Sequence, residues 1–345
     1  MNYVVFDLEW NQATRKSGEN QDLPFEIIEI GAVKLNDKFE KIGEFSRLIR
    51  PSVYHTMHGM TADIVHLSMR ELRNEQPFGP VCRHFLKWCG EDVIFGTWGP
   101  LDLTELQRNM TYFGFPNLAD GPIAFYDIQK LYALTFEPED EKKRRALNVA
   151  VEALGLEDDI PFHRAFGDAY YTAKVFKRIA KESGASQILK RVSYDVYHIP
   201  KDRAAEVHVT FDKYSKYISR EFESKFLAME DAGVTDTKCY KCGRHSKTKI
   251  AWFTPNGKNF LYLGYCWRHG FLKGKIRIRK TTGDRVFVIK TLKLVTRKQA
   301  GEIRERQNKL REARREKRRE KRSEHDDYIH DTMGSGQAFS SDTNG

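Results

Sequence analysis

Apolar residues crowd three early runs, "NYVVFDLEW", "FEIIEIGAVKL" and "KFEKIGEFSRLI", each bounded by polar or turn-forming residues. Their β-branched and aromatic content predicts strands, and "NDK" predicts the turn between the second and third, so a three-stranded meander is the simplest assembly. "VIFGTWG" and "IAFYDI" predict two further short strands, each followed by helical spacing in "LDLTELQRNMTYFG" and "IQKLYALTF". "ALNVAVEALGL" reads as an amphipathic helix that closes near a glycine, and "GDAYYTAKVFKRIAKESG" as another with Gly after its last turn. A sheet begun by a meander and completed by strand–helix units gives a layered α/β domain over residues 1–190.

Beyond it the pattern weakens. Residues 191–236 read as a connector with a helix near 216–232. Residues 237–296 change to cysteines, aromatics and short strands such as "NFLYLGY", "KIRIRK" and "RVFVIKTLKLV". Residues 297–322 are nearly all charge and helix-former, a basic helical arm with little apolar stripe. Residues 323–345 have the composition of a disordered tail.

The chain has 345 residues, room for about two domains with their own cores. No apolar run approaches the roughly 18 residues a membrane helix requires, and no export signal opens the chain, so a cytoplasmic protein is expected. The net charge is +10; residues 297–322 hold thirteen Lys/Arg against five Asp/Glu, which leaves +2 for everything else. A basic arm of this kind favours polyanions, nucleic acid above all.

Candidate chemistry begins with Asp7 and Glu9. Side chains two apart on a strand share a face and lie about 6–7 Å apart along it, and two carboxylates there need a counter-charge such as a divalent cation. Asp102 follows the strand of "IFGTWGPLD" where a helix begins, a place that projects into the crevice at strand ends. In "HRAFGDAYYTAKVF", His163 precedes Asp168 by five residues, and Asp168 opens a helix. Each piece alone is ordinary: an acid at a strand end, an acid favoured by a helix dipole, a solvent-facing histidine.

Together, D-x-E, then W-G-x-x-D, then H-x-A-x-x-D resemble the DEDDh 3′→5′ exonucleases, the superfamily of proofreading-subunit nucleases and RNase T. The resemblance spans roughly residues 1–185, includes "TMHGMTADIV", and is nearest in flavour to exoribonucleases of the enhancer-of-RNA-interference and bacterial sporulation-inhibitor type. A tyrosine four residues before the last Asp would mark the sister group; Arg164 stands there instead.

The resemblance implies a ribonuclease H-like mixed sheet flanked by helices. It also implies two Mg²⁺ or Mn²⁺ ions held by Asp7, Glu9, Asp102 and Asp168, with Asp7 bridging them and Asp102 acting partly through water. His163 would be the general base, and the product a nucleoside 5′-monophosphate cut from a free 3′ end. It further makes Met57, His58, Met60 and Trp98 candidates for gripping the terminal nucleotide, against ordinary packing for each.

Five cysteines are present. Cys82 and Cys89 lie seven apart in a predicted helix and read as packing residues. Cys239-x-x-Cys242 and Cys266-x-x-His269 are two short-spaced pairs separated by twenty-three residues, the pattern of one structural, tetrahedral Zn²⁺. His245 is a rival fourth ligand, which the paired spacing disfavours. Gly243 and Gly270 allow the turn after each pair. Lys/Arg together with Trp252, Phe253, Tyr262 and Trp267 suit either nucleic-acid binding or a small domain's core.

Three functions follow as expectations. The first is a metal-dependent 3′→5′ exoribonuclease acting on single-stranded RNA 3′ ends, with structured RNA recruited by the zinc module and arm. The second is a DNA exonuclease with the same site, and the third a nucleic-acid-binding protein with an idle nuclease fold.

Overall fold

The structure is a computed structural model that describes residues 1–140, 143–156, 160–257, 259–281 and 283–334, with side chains as far as residue 320. The chain forms two compact units, Met1–Lys201 and a second that starts at Asp202.

Unit 1 runs β1 (Asn2–Asn11), β2 (Glu26–Leu35), β3 (Lys41–Leu48), α1 (Gly59–Val65), α2 (Met69–Leu72), α3 (Phe78–Cys89), β4 (Val93–Thr97) and α4 (Leu101–Tyr112). It continues with β5 (Ile123–Asp127), α5 (Ile128–Phe136), α6 (Leu147–Ala153), α7 (Ala165–Lys181), α8 (Ala185–Leu189) and β6 (Ser193–Asp195). The sheet order is β3-β2-β1-β4-β5-β6. The meander β1–β3 is antiparallel, and β1, β4 and β5 are parallel neighbours. The α/β layers and the strand–helix units expected from the pattern are all present.

Period-two alternation divides β1 between two cores. Val4, Phe6 and Leu8 pack with Cys82, Phe85 and Cys89 of α3 and Leu103 and Leu106 of α4. Tyr3 and Val5 pack with α5 and α7 through Leu131, Tyr171, Val175 and Phe176. Asp7 and Glu9 continue the Tyr3–Val5 row. Cys82 and Cys89 are packing residues, and burial pushes both thiols up to about 12.

Two glycines set how closely α7 approaches. Gly31, the cross-strand partner of Asp7, lies so near the start of α7 that a Cβ would sit 2.1 Å from the backbone of Ala165 and Phe166. A Cβ on Gly167 would meet the Pro161 carbonyl oxygen at 2.2 Å. Only glycine tolerates such backbone-to-backbone approach.

Unit 2 contains β7 (Val207–Thr210), β8 (Tyr214–Ile218), α9 (Lys225–Glu230), α10 (Ala232–Thr235), β9 (Lys247–Phe253), β10 (Asn259–Cys266), β11 (Gly270–Lys280), β12 (Val286–Val295) and α11 (Arg297–Gly334). Its sheet, β7-β8-β12-β11-β10-β9, is antiparallel at every pairing. Residues 207–218 therefore belong to this sheet rather than to a connector, and the helix expected over 216–232 is a strand end followed by two short helices. The reason is non-local: β8 pairs with β12, Ile218 opposite Ile289, a partner absent from the local pattern.

The arm is helical and is anchored through its first turns, with Arg314 reaching the Thr254 carbonyl further along. Ala300 and Ile303 are buried against Ile250 and Leu263, after which the described side chains are mostly exposed. The helix continues over residues 323–334, where a disordered tail was expected; the rest of that stretch, 335–345, lies outside the described residues.

Candidate active site and candidate metal centre

The Asp7 and Glu9 carboxylates emerge half-buried from the end of the β1 row, and Asp168 comes over them from the first turn of α7. One oxygen from each of these three acids lies within 4.8 Å of the others. Asp102, in the first turn of α4, is 6% exposed and accepts the Leu8 N–H through Oδ1 at 3.3 Å, which fixes it beside Asp7. Three distant stretches of chain thus converge. His163 closes the group from the loop before α7: its backbone N–H points at Asp168 Oδ1 at 3.4 Å, and its φ of 62° is in the left-handed region. Histidine visits that region more readily than most residues, still at some strain, and such outliers cluster at functional sites.

The electrostatics are those of buried acids crowded together. Burial, then the charges of Asp102, Asp168, Glu9 and Glu29, raises the Asp7 carboxyl well above its usual range. Burial with Asp168, Glu29 and Asp102 pushes Glu9 up to about 8, while Arg164 acts the other way. Burial lifts Asp102 to about 7 despite the N–H groups that hold it. Asp168 is raised by burial and restrained by the His163 backbone and imidazole. A cage of hard oxygens that resists its own ionisation fits Mg²⁺ or Mn²⁺.

A fifth acid went unnoticed in the sequence. Glu29 faces Glu9 across the β1–β2 ladder, is 1% exposed, and pairs with Arg164 through two bonds of 3.0 Å each. This fork places a fixed cation at the edge of the acid group and ties the His163 loop to the sheet. The only sequence signal was Arg164 beside His163; nothing local marks Glu29 as its partner.

The remaining candidates separate. Asn11, two residues past Glu9, accepts the His58 N–H at 2.9 Å and donates to the carbonyls of Tyr54 and Thr56, so the 54–58 loop is bound to the end of β1. His58 stands just before α1 without a side-chain bond to the helix, and its Nδ1 is 3.4 Å from Gln12 Nε2. Met60 is 62% exposed, whereas Met57 packs toward Ile28 and Val65. Trp98 donates its indole N–H to the Arg145 carbonyl and lies against Tyr132, a packed and anchored ring.

In unit 2, Cys239, Cys242, Cys266 and His269 present ligand atoms within 4.8 Å of one another. Cys239 Sγ is 3.5 Å from His269 Nδ1, and Cys242 Sγ is 3.7 Å from Cys266 Sγ. Each pair sits on a tight turn, followed by Gly243 at φ 68° and Gly270 at φ 86°. Burial opposes the Cys266 thiolate, yet the N–H groups of Arg268 and His269, with the His269 and Cys242 side chains, bring the thiol down to about 6. Three soft sulfurs and an imidazole, with N–H groups aimed at sulfur, fit tetrahedral Zn²⁺ with no open position. His245 is not part of this group; its side chain is 74% exposed and lies near Asp236. Of the four aromatics noted in the sequence, Tyr262 is buried, Trp252 lies tilted against it with ring centres 5.2 Å apart, Phe253 packs toward α11, and Trp267 alone is strongly exposed.

Among the described residues no helix is long and apolar enough to cross a membrane. Residues 4–176 match the family model of the RNase T type, described as exonuclease. No curated protein sequence matches the chain. Similar solved structures include the nuclease domain of 3′hExo, a DEDDh family member, bound to rAMP, at 19% identity and TM-score 0.44 over 52% of this chain and 92% of that one. Exonuclease I of E. coli in complex with a dA16 oligonucleotide is similar at 14% identity and TM-score 0.46, over 76% and 54%. Pop2p of S. pombe in its Mg²⁺- and Mn²⁺-bound form is similar at 15% and 0.41, over 57% and 88%.

Proposed function

The chain belongs to the RNase T exonuclease family, and from that premise we propose that it is a metal-dependent 3′→5′ exoribonuclease releasing nucleoside 5′-monophosphates. The observation that carries the reading is the meeting of Asp7, Glu9 and Asp168, within 4.8 Å, beside Asp102 and His163.

In this reading Asp7, Glu9 and Asp168 hold the divalent ions, and Asp102 completes the set from α4. When bound, such a pair of ions neutralises charge on the phosphoryl oxygens and makes a nucleophile of water at neutral pH. His163 takes the proton of the attacking water on an imidazole nitrogen. The water oxygen bonds to phosphorus, the bond from phosphorus to the preceding 3′ oxygen breaks, and that oxygen leaves as a hydroxyl after taking a proton from solvent. The Glu29–Arg164 fork acts through others: it keeps the His163 loop on β2 and supplies fixed positive charge. The loop tied to Asn11, with His58 and Met60, is the candidate wall for the terminal nucleotide. In unit 2, Cys239, Cys242, Cys266 and His269 hold a structural Zn²⁺ that closes two turns.

Labelled single-stranded RNA and DNA oligonucleotides, incubated with Mg²⁺ or with chelator, test the reading. The expected result is Mg²⁺-dependent shortening of RNA from its 3′ end to 5′-mononucleotides, faster than DNA. Equal or faster DNA digestion would reassign the substrate, and no digestion of either would remove the catalytic reading.

A further inference from the structure

The charge of unit 2 is not confined to its helical arm. Residues 237–283 contain twelve Lys/Arg and not one Asp or Glu, so the near neutrality of the chain outside the arm hides a strongly basic module offset by acids elsewhere. The two cysteine turns belong to this module. At their tips Trp267 is 64% exposed, although a side chain of that size is normally buried or anchored. The Arg244 guanidinium, from the first turn, lies 5.3 Å from the centre of its ring, and that of Arg268, from the second, 4.8 Å. Both arginines are exposed, and neither has a carboxylate partner among the described residues. A large flat apolar surface is therefore held in water between two cations with no counter-charge.

We propose that Trp267, flanked by Arg244 and Arg268, is a stacking platform for an unpaired base of a single-stranded nucleic acid, the two arginines taking the adjoining phosphates. The inference deepens the exonuclease reading, on which the choice of a polynucleotide rests. An exposed cation over an aromatic face is weakly held, whereas a nucleobase stacks on tryptophan more strongly and whatever its sequence. An incoming base displaces a guanidinium from the ring, and that guanidinium is then free for phosphate, so one exchange satisfies both groups. The cysteine turns supply rigidity: Cys239 and Cys266 each precede the arginine they help to place, and Gly243 and Gly270 close the turns. A folded acidic protein would match the charge too; a nucleic acid matches both groups at once, a flat base for the ring and a phosphate for each arginine.

The test uses the full chain carrying Asp7→Ala, so that the strand survives, and fluorescence anisotropy with single-stranded RNA and DNA oligonucleotides. Adding Trp267→Ala weakens binding about tenfold, in line with the removal of one base–aromatic stack, while zinc content stays that of the parent. Trp267→Phe restores most of the affinity. The Arg244→Gln, Arg268→Gln pair lowers the salt dependence, by about 0.7 in slope for each phosphate no longer neutralised. A scan of single abasic sites against the Trp267-containing chain reads the same stacking without altering the module: one position weakens binding, and Trp267→Ala erases that position's effect. Unchanged affinity in Trp267→Ala, no position-dependent abasic effect, or equal competition by an acidic polypeptide would overturn the proposal. Failure of the unsubstituted chain to digest any oligonucleotide would refute the exonuclease reading and leave this binding comparison legible.

Discussion

The two candidate metal centres are built by opposite strategies. The cysteine centre takes its four donors from two turns, each spanning four residues, at the ends of neighbouring stretches of one sheet. Soft donors, short spacing and a glycine after each pair are all written locally. The acidic centre gathers Asp7, Asp102 and Asp168 from a strand and two helices whose meeting depends on the whole of unit 1. Its donors repel one another, and burial strengthens that repulsion. The first centre stabilises the turns around it when filled; the second is a cost the surrounding fold carries for function. Mutations should therefore separate them cleanly.

The largest expected effect is on the acidic side. Asp7→Ala abolishes turnover with zinc content unchanged, measured by oligonucleotide digestion and metal analysis of the same sample. Retained digestion would remove Asp7 from the site and dissolve the contrast.

Next comes Gly31→Ala. A Cβ 2.1 Å from two backbone atoms of α7 forces the helix off the sheet, and overpacking of this kind costs about 1–3 kcal/mol. We expect the urea midpoint of unit 1 to fall and digestion to be abolished, because Asp168 moves with the helix. In the cysteine centre, Cys239→Ser should release zinc and speed proteolysis within residues 237–296, while Mn²⁺ binding by the acidic centre is unchanged.

The smallest effect is a pH dependence that sharpens the difference in sign. Glu9 at about 8 and Asp102 at about 7 lie above the unfolded values near 4. The native state then holds more protons than the unfolded chain across that window, so unfolding free energy falls as pH rises from about 4 to 8. Denaturant titrations of Mg²⁺-free protein should show this decline. Saturating Mg²⁺ should flatten it by binding the ionised form, and Asp7→Asn should be more stable than the parent at pH 8 without metal.

How much of this was legible follows from the range of the interactions. Asp7 and Glu9 were legible because period-two alternation puts them on one face, and the cysteine pairs because their spacing is local. The strand–helix units of unit 1 were legible because each apolar run is long and bounded. Glu29 was not, because its role is to face Glu9 across a ladder and fork onto Arg164, two pairings between residues far apart in sequence. Gly31 looked like an ordinary strand residue until α7 was laid on it. β8 was missed because its pairing partner, β12, lies some seventy residues on, and β7 because it joins the sheet only through β8. Trp267 could not be told from Trp252 or Tyr262 by type; only burial sorts the exposed ring from the packed ones.

The central claim is that acids from three parts of the chain form one cage for divalent ions. Crystals grown or soaked with Mn²⁺ and measured near the manganese absorption edge test it most directly. The account predicts anomalous peaks among the carboxylates of Asp7, Glu9, Asp102 and Asp168 that vanish in Asp7→Ala. Peaks elsewhere with that group unoccupied at saturating Mn²⁺, or peaks unchanged by the substitution, would contradict it.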